Sequence, residues 1–293
     1  MENVVKSKDY IEGICKRERI AGKDYGNTFN GMYYKHLEYI TEPVLRHVDA
    51  YYHRYSMISI ADFGGGSGIV GGAIKRSLKE KGYKSTLIVI DVNKNQLEGV
   101  GKEAGTLGVR PVLKNFFDFL QDDKERFDVI SMRNVLNYMD REQNYYALKS
   151  AYNALRMGGI YVNSFLFSPD EESQKAMNKF YGIQEGFLQG KYARPRHLVT
   201  LYEIWELFLK TGFFRIECVG TFTESIPVRG KGSLAEKHIY TTEESELIEN
   251  YLYNLPDSVK KALNICRKKN GSEDTVFLDS RFAVFKGRKI KWP

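Results

Sequence analysis

The sequence predicts an α/β fold: a doubly wound, mostly parallel sheet with a helical N-terminal cap and a late insertion. Three observations carry this. From residue 58 onward, short apolar runs alternate with helical patterns, and near-continuous apolar strands linked by helices imply a parallel sheet covered on both faces. A turn with six glycines, "IADFGGGSGIVGGAI" at 60–74, joins the first apolar run to a helix. About 55 residues separate the last two candidate strands, which suits an insertion between strands that pair antiparallel.

Taken in order, residues 1–57 are polar and aromatic, and 35–54 has mostly helical periodicity. This is the cap. Seven candidate strands follow at 58–63, 86–91, 110–114, 127–132, 159–167, 213–220 and 276–286, and the first six fall in a core spanning 58–220. Thr200 with Glu203 makes a capping box for a helix over 201–210, and Thr241 with Glu244 makes another within the insertion 221–275. Pro256 precedes a further amphipathic stretch at 257–268. Segment 168–199 is longer than a minimal connection, and 276–293 supplies the last strand and a tail.

The 293 residues are 42% apolar and 28% charged, ordinary values for a globular chain with a sizeable core. No apolar stretch approaches the ~20 residues that span a bilayer, so no membrane partner is expected. The first residues lack the apolar core of a secretory signal. Cys15, Cys218 and Cys266 are scattered, offering neither a disulfide framework nor metal-ligand spacing. A cytoplasmic location and no metal are therefore expected. The net charge of +7 suits an anionic ligand or nucleic acid, but basic and acidic residues interleave as on a solvated surface.

The glycine turn fits two registers. Gly66-Ser67-Gly68-Ile69-Val70-Gly71 matches the dinucleotide pattern G-x-G-x-x-G. Asp62-Phe63-Gly64-Gly65-Gly66-Ser67-Gly68 matches D-x-G-x-G-x-G, with the acid at the strand end. Asp91, closing the next strand, can accept from ribose hydroxyls of NAD or S-adenosylmethionine alike. Asp62 separates the two ligands. A carboxylate there would repel a pyrophosphate at the helix N-terminus but suits the sulfonium and ammonium of S-adenosylmethionine.

With "LIVIDVNKNQL", "LKNFFDFL", "FDVISMRNVLNYMDREQ" and "ALRMGGIYVN" following "IADFGGGSG" in order, residues 58–167 resemble a class I S-adenosylmethionine-dependent methyltransferase. "LVTLYEIWELFLKTGFFRIECV" and "FLDSRFAVFKGR" resemble the family's later helix and last two strands. The resemblance implies a seven-stranded sheet whose seventh strand is inserted antiparallel. It implies that Gly64, Gly65 and Gly66 let the backbone approach the methionine and ribose portions, that Asp91 holds the ribose, and that Val92 lies against the adenine. Asn115 and Phe116 correspond to the family's pair at the adenine, with Asp118 a rival to Asn115. Arg133, at the end of the fourth strand, would lie beside the methionine portion.

Subclasses can be argued apart. Ser131-Met132-Arg133-Asn134 lacks the Asn/Asp-Pro-Pro-Tyr/Phe motif of enzymes that methylate planar nitrogens, and no cysteine lies where a base-activating nucleophile is needed. "RNVLNYMDRE" resembles the catalytic stretch of small-molecule O-methyltransferases with Asn137 in place of the histidine base, and also that of chemotaxis-receptor carboxyl methyltransferases. An amide can orient a substrate but not take its proton near neutral pH. Candidate catalytic residues are therefore Asn137 and His197. Candidate substrate contacts are Tyr25, Tyr34, Tyr138, Arg194 and Arg196, with Thr28, Phe29, Tyr33 and Arg229 nearby in role. Trp205 reads as packing. The expected activity is methyl transfer to a small molecule, catalysed mainly by positioning. Alternatives are an RNA or protein acceptor, or a non-catalytic module that binds S-adenosylmethionine.

Overall fold

A computed structural model describes residues 30–100, 108–122, 126–187, 197–230 and 240–290. Helix α1 (Asn30–Tyr51) leads into β1 (Met57–Phe63), α2 (Ile69–Glu80), β2 (Lys84–Asp91), a single turn α3 (Lys94–Leu97) and β3 (Val109–Leu113). Then come α4 (Phe116–Asp122), β4 (Phe127–Arg133), α5 (Arg141–Ala154) and β5 (Leu155–Ser168). The later part holds α6 (Glu171–Phe187), β6 (Val199–Thr200), α7 (Leu201–Thr211), β7 (Phe214–Pro227), α8 (Thr242–Tyr253), α9 (Asp257–Ala262), β8 (Cys266–Asn270) and β9 (Glu273–Arg288).

The sheet order is β3-β2-β1-β4-β5-β9-β7, with β6 beside β5 and β8 beside β9. Strands β1 to β5 pair in parallel, and β9 is antiparallel to both β5 and β7. This is the expected doubly wound sheet with one reversed strand. The strand order changes direction between β1 and β4, and the crevice at the carboxyl ends of such strands is where this architecture binds ligands.

Three apolar layers hold the sheet. Phe117 of α4, Leu148 of α5 and Phe208 of α7 cover one face together with Tyr161, Phe165 and Phe285. Val44 of α1 and Ile74 of α2 cover the other over β1, β2 and β4. Beyond them on that face, Phe180 of α6, Leu252 of α8 and Val259 of α9 pack on Leu166, Ile226 and Phe282. Both predicted capping boxes form: Thr200 and Thr241 accept from the N–H of Glu203 and Glu244, whose carboxylates accept in return.

Two stretches of the expected insertion behave differently. Residues 221–227 continue β7, because their register with β9 runs unbroken from Gly220 opposite Val284 to Pro227 opposite Phe277. The amphipathic stretch 257–268 is helical only to Ala262. Asn264 adopts a left-handed φ of 50°, which ends the helix and turns the chain into β8. The tight β8–β9 connection passes through Gly271 at φ 68°.

Candidate active site

The turn after β1 is shaped by glycines that no other residue would replace. Gly64, Gly66 and Gly68 have φ of 62°, 55° and 78°, conformations that cost an L-residue roughly 1–2 kcal/mol. Gly64 and Gly65 both donate to the Ile90 carbonyl, at 2.8 and 3.3 Å, tying the turn to the end of β2. A Cβ on Gly64 would run into Val135 Cγ2, and one on Gly65 would sit 2.8 Å from Asp62 Cγ. Gly66 differs, since a Cβ there would meet only Gln96 Oε1 at 3.5 Å. Its outer side is open.

Asp62 is buried beneath this turn. Its Oδ2 accepts from the Gly71 N–H at 2.8 Å and its Oδ1 from the Ser131 hydroxyl at 2.8 Å. Burial pushes its carboxyl up to about 6, against the pull of those two donors. The acid thus fixes the start of α2 to β4. Asp91, half-buried, accepts from Gly66 N–H and Asn93 N–H, each at 2.8 Å. Burial raises its pKa, and the N–H groups of Asn93, Gly66 and Val92 oppose the rise. A carboxylate has about four lone-pair sites, so backbone orients Asp91 without using all its capacity. Val92 is half-buried beside it, and Asn93 caps α3 through Asn95 N–H at 2.9 Å.

Asn115 and Phe116 are both buried. The Asn115 amide oxygen accepts from Phe117 N–H at 2.9 Å, fixing the start of α4. Phe116 stacks on Phe63 of β1 with ring centroids 5.4 Å apart, so it belongs to the core as well as to the site edge. Asp118 lies half-buried in the first turn of α4.

The end of β4 brings Arg133, Asn134 and Val135 against the glycine turn. Arg133 is half-buried. Asn134 has φ 55° and donates its N–H to the Ser164 carbonyl at 2.7 Å, while its buried Oδ1 has no partner. Strained non-glycine backbone of this kind is concentrated at functional sites. Asn134 carries little mark of this role in the sequence. The only available signal was that Asn tolerates the left-handed region better than most residues. Ser131, the partner of Asp62, gave no signal at all.

Asn137 and His197, 60 positions apart in sequence, come together. His197 donates its backbone N–H to the Asn137 carbonyl at 3.0 Å. The Asn137 side chain is an internal strut: Nδ2 donates to the Leu166 carbonyl at 2.8 Å and Oδ1 accepts from the Leu166 N–H at 3.0 Å. His197 is half-buried and its Nε2 is buried without a partner. Tyr138, half-buried, closes the single 3-10 turn between them and α5. Arg229 is committed elsewhere, in a bidentate pair with the buried Glu249 at 2.8 and 3.1 Å. Trp205 packs edge-on against Phe285, centroids 6.1 Å apart. Tyr25, Thr28, Phe29, Arg194 and Arg196 lie outside the described residues, as do the side chains of Tyr33 and Tyr34 on α1.

The donor set fits S-adenosylmethionine. The Gly66 side of the turn is open, the Asp91 carboxylate is held at its rim, and the orphaned Asn134 oxygen is an acceptor suited to an ammonium group. Among the described residues no three His, Cys, Asp or Glu side chains converge as metal ligands, and no helix is long and apolar enough to cross a membrane.

Residues 60–159 match a family described as a methyltransferase domain. No curated protein sequence matches the chain. The YcgJ protein of Bacillus subtilis superposes with a TM-score of 0.66 at 16% identity, covering 85% of this chain and 98% of its own. A candidate methyltransferase of Bacillus halodurans gives 0.63 at 13% identity over 85% and 99% of the two chains. A candidate sarcosine dimethylglycine methyltransferase of Galdieria sulphuraria gives 0.53 at 11% over 88% and 87%. At such identities the likeness speaks for the fold, and the match over 60–159 speaks for the family. Residues 60–159 thus match a methyltransferase domain, and the chain shares the fold of these solved structures.

Proposed function

We propose that the acceptor is a small molecule and that catalysis rests mainly on positioning. The observation that carries this reading is a set of polar atoms at the carboxyl ends of β4 and β5. His197 Nε2 and Ser168 Oγ are buried without partners, and Ser168 pairs in register with Thr200, three residues beyond His197. They lie at the edge of the apolar layer built by α6, α8 and α9. Apolar walls with a few convergent polar groups are what a compact ligand requires. The cap 1–57, segment 168–199 and insertion 221–275 would supply the walls, in a cytoplasmic enzyme, around the S-adenosylmethionine core 58–220 and its last strand in 276–293.

Bound at the turn, S-adenosylmethionine would supply an electrophilic methyl group. Asp91 would hold the ribose, with Val92, Asn115 and Phe116 on the adenine side. Gly64, Gly65 and Gly66 would admit the methionine portion, with Asn134 and Arg133 available to hold it. Asp62 keeps the turn in place through Gly71 and Ser131. Asn137 positions His197, whose Nε2 can hold a proton from an acceptor that needs deprotonation. Tyr25, Tyr34, Tyr138, Arg194 and Arg196 are assigned to the substrate side.

Calorimetric titration with S-adenosylhomocysteine tests the cofactor half. Asp91→Ala should weaken binding by about 1–3 kcal/mol, and no binding by folded wild-type protein would overturn the residue assignment. Transfer of labelled methyl from S-adenosylmethionine, with a cell extract as acceptor source, tests the other half. Label should enter the low-molecular-mass fraction. Label confined to nuclease- or protease-sensitive material would favour the macromolecular reading.

A further inference from the structure

The edge of the sheet opposite the cofactor turn, where the parallel strands begin, is basic and aromatic, and the methyl-transfer site makes no use of it. Its centre is Tyr51, 53% exposed at the end of α1. The Arg288 guanidinium lies 3.9 Å from the Tyr51 ring centroid, and Arg215 Nη1 donates to the Tyr51 hydroxyl at 3.2 Å. The two arginines depress the Tyr51 hydroxyl below its ordinary range, Arg288 more than Arg215. Lys289 adjoins Arg288, and its own pKa is lowered by burial first and then by the charges of Arg126 and Lys149. The cations here crowd one another. The acids near them are engaged: Asp128 pairs with Arg156 at 2.8 Å and Glu217 with Lys286 at 2.7 Å.

Arg215 is the residue whose presence is hardest to explain by packing. It is exposed and sits at φ 51°, inside the register shift that separates Phe214 from Glu217 on β7. Bulges re-aim side chains, and this one turns a guanidinium onto Tyr51 at a cost in backbone strain of the kind usually retained for function. Beside this group, Tyr55 is 97% exposed and Met57 53% exposed at the entry to β1. Exposed aromatic rings interleaved with arginines are the means by which proteins hold unpaired bases and track their phosphates.

We propose that this edge binds a single-stranded polynucleotide, with Arg215 and Arg288 on the phosphates and Tyr55 as a stacking platform. The surface lies a full strand length from the glycine turn. It is a docking face independent of the acceptor bound in the active site. The proposal does not rest on the small-molecule reading.

Fluorescence anisotropy of labelled single-stranded RNA and DNA with the full chain, across a salt series, is the test. Affinity should fall steeply with salt, and Arg215→Ala should reduce the logarithmic salt slope by about 0.7. Tyr55→Ala, a change at a fully exposed side chain, should weaken oligonucleotide binding by about fivefold or more while leaving polyphosphate binding unchanged. Stronger binding of either RNA or DNA identifies the source of the strand. S-adenosylhomocysteine affinity, unchanged in all variants, reports that the fold is intact. The proposal is overturned if oligonucleotides fail to bind at low salt, if Tyr55→Ala binds them as well as wild type, or if polyphosphate, an acidic peptide or anionic vesicles bind as tightly as the oligonucleotides.

Discussion

Strands β1 and β4 are buried along nearly their whole length, whereas β7 is mostly exposed or half-buried up to its last two residues and, among the described strands, pairs with the reversed β9 alone. The two halves of the sheet are secured differently. In the parallel half, apolar runs are locked by short-range backbone bonds and two acids, the buried Asp62 and the half-buried Asp91. In the antiparallel half, a buried polar knot helps join a long β7–β9 ladder to its helices. Glu249 accepts from Thr275 Oγ1 at 2.6 Å, from Val276 N–H at 3.1 Å and from both arms of Arg229. The lesson is that local geometry governs the first half and a few long-range contacts govern the second.

Breaking the knot should have the largest effect. Glu249→Ala leaves Arg229 without its counter-charge and two donors unsatisfied, and should cost about 3–5 kcal/mol in urea unfolding. S-adenosylhomocysteine affinity should be unchanged below the unfolding transition. A loss of affinity equal to that of Asp91→Ala would mean that the two halves are not separately secured.

The seam between the halves carries a pH signature. His47 of α1 is held down to about 4, by burial first and by Arg288 and Lys286, while the Gly158 carbonyl and Asp128 oppose this. The folded protein therefore holds the neutral imidazole. Its contribution is fully present above the unfolded value of 6.5 and is lost as pH falls from 6.5 towards 4, at most about 3 kcal/mol. Asp62, pushed up to about 6, acts in the opposite sense between about 6 and 3.8. Unfolding measured at several pH values in wild type and His47→Gln isolates the histidine, since only its slope should disappear.

Smaller effects sharpen the picture of the parallel half. Gly64→Ala forces an L-residue into φ 62° against Val135, and should cost about 2 kcal/mol of stability together with most of the cofactor affinity. Asn93→Ala removes the cap of the short helix after Asp91 and should cost about 1 kcal/mol. Cofactor calorimetry should show a modest accompanying loss through Asn93's neighbour Asp91.

The parallel half was legible because its information is local. Asp62, the alternating glycines and Asp91 each lie at a strand end that apolar runs already mark, and the capping boxes at Thr200 and Thr241 are four-residue signals. The antiparallel half was legible only in outline. Nothing in "TFTESIP" distinguishes an edge strand from an insertion until β9 is beside it. The helical pattern at 257–268 carries no mark of Asn264 turning left-handed.

The sequence by itself determined the doubly wound core, the position of the glycine turn and the acid of the next strand, because periodicity and glycine's conformational freedom are properties of the chain. Tertiary structure alone decided what the buried polar groups do. It turned Asn137 into a strut on Leu166, committed Arg229 to Glu249, and left His197 Nε2 and Asn134 Oδ1 without partners. A polar side chain's role depends on which distant donors and acceptors the fold brings within about 3 Å, and no local pattern encodes that.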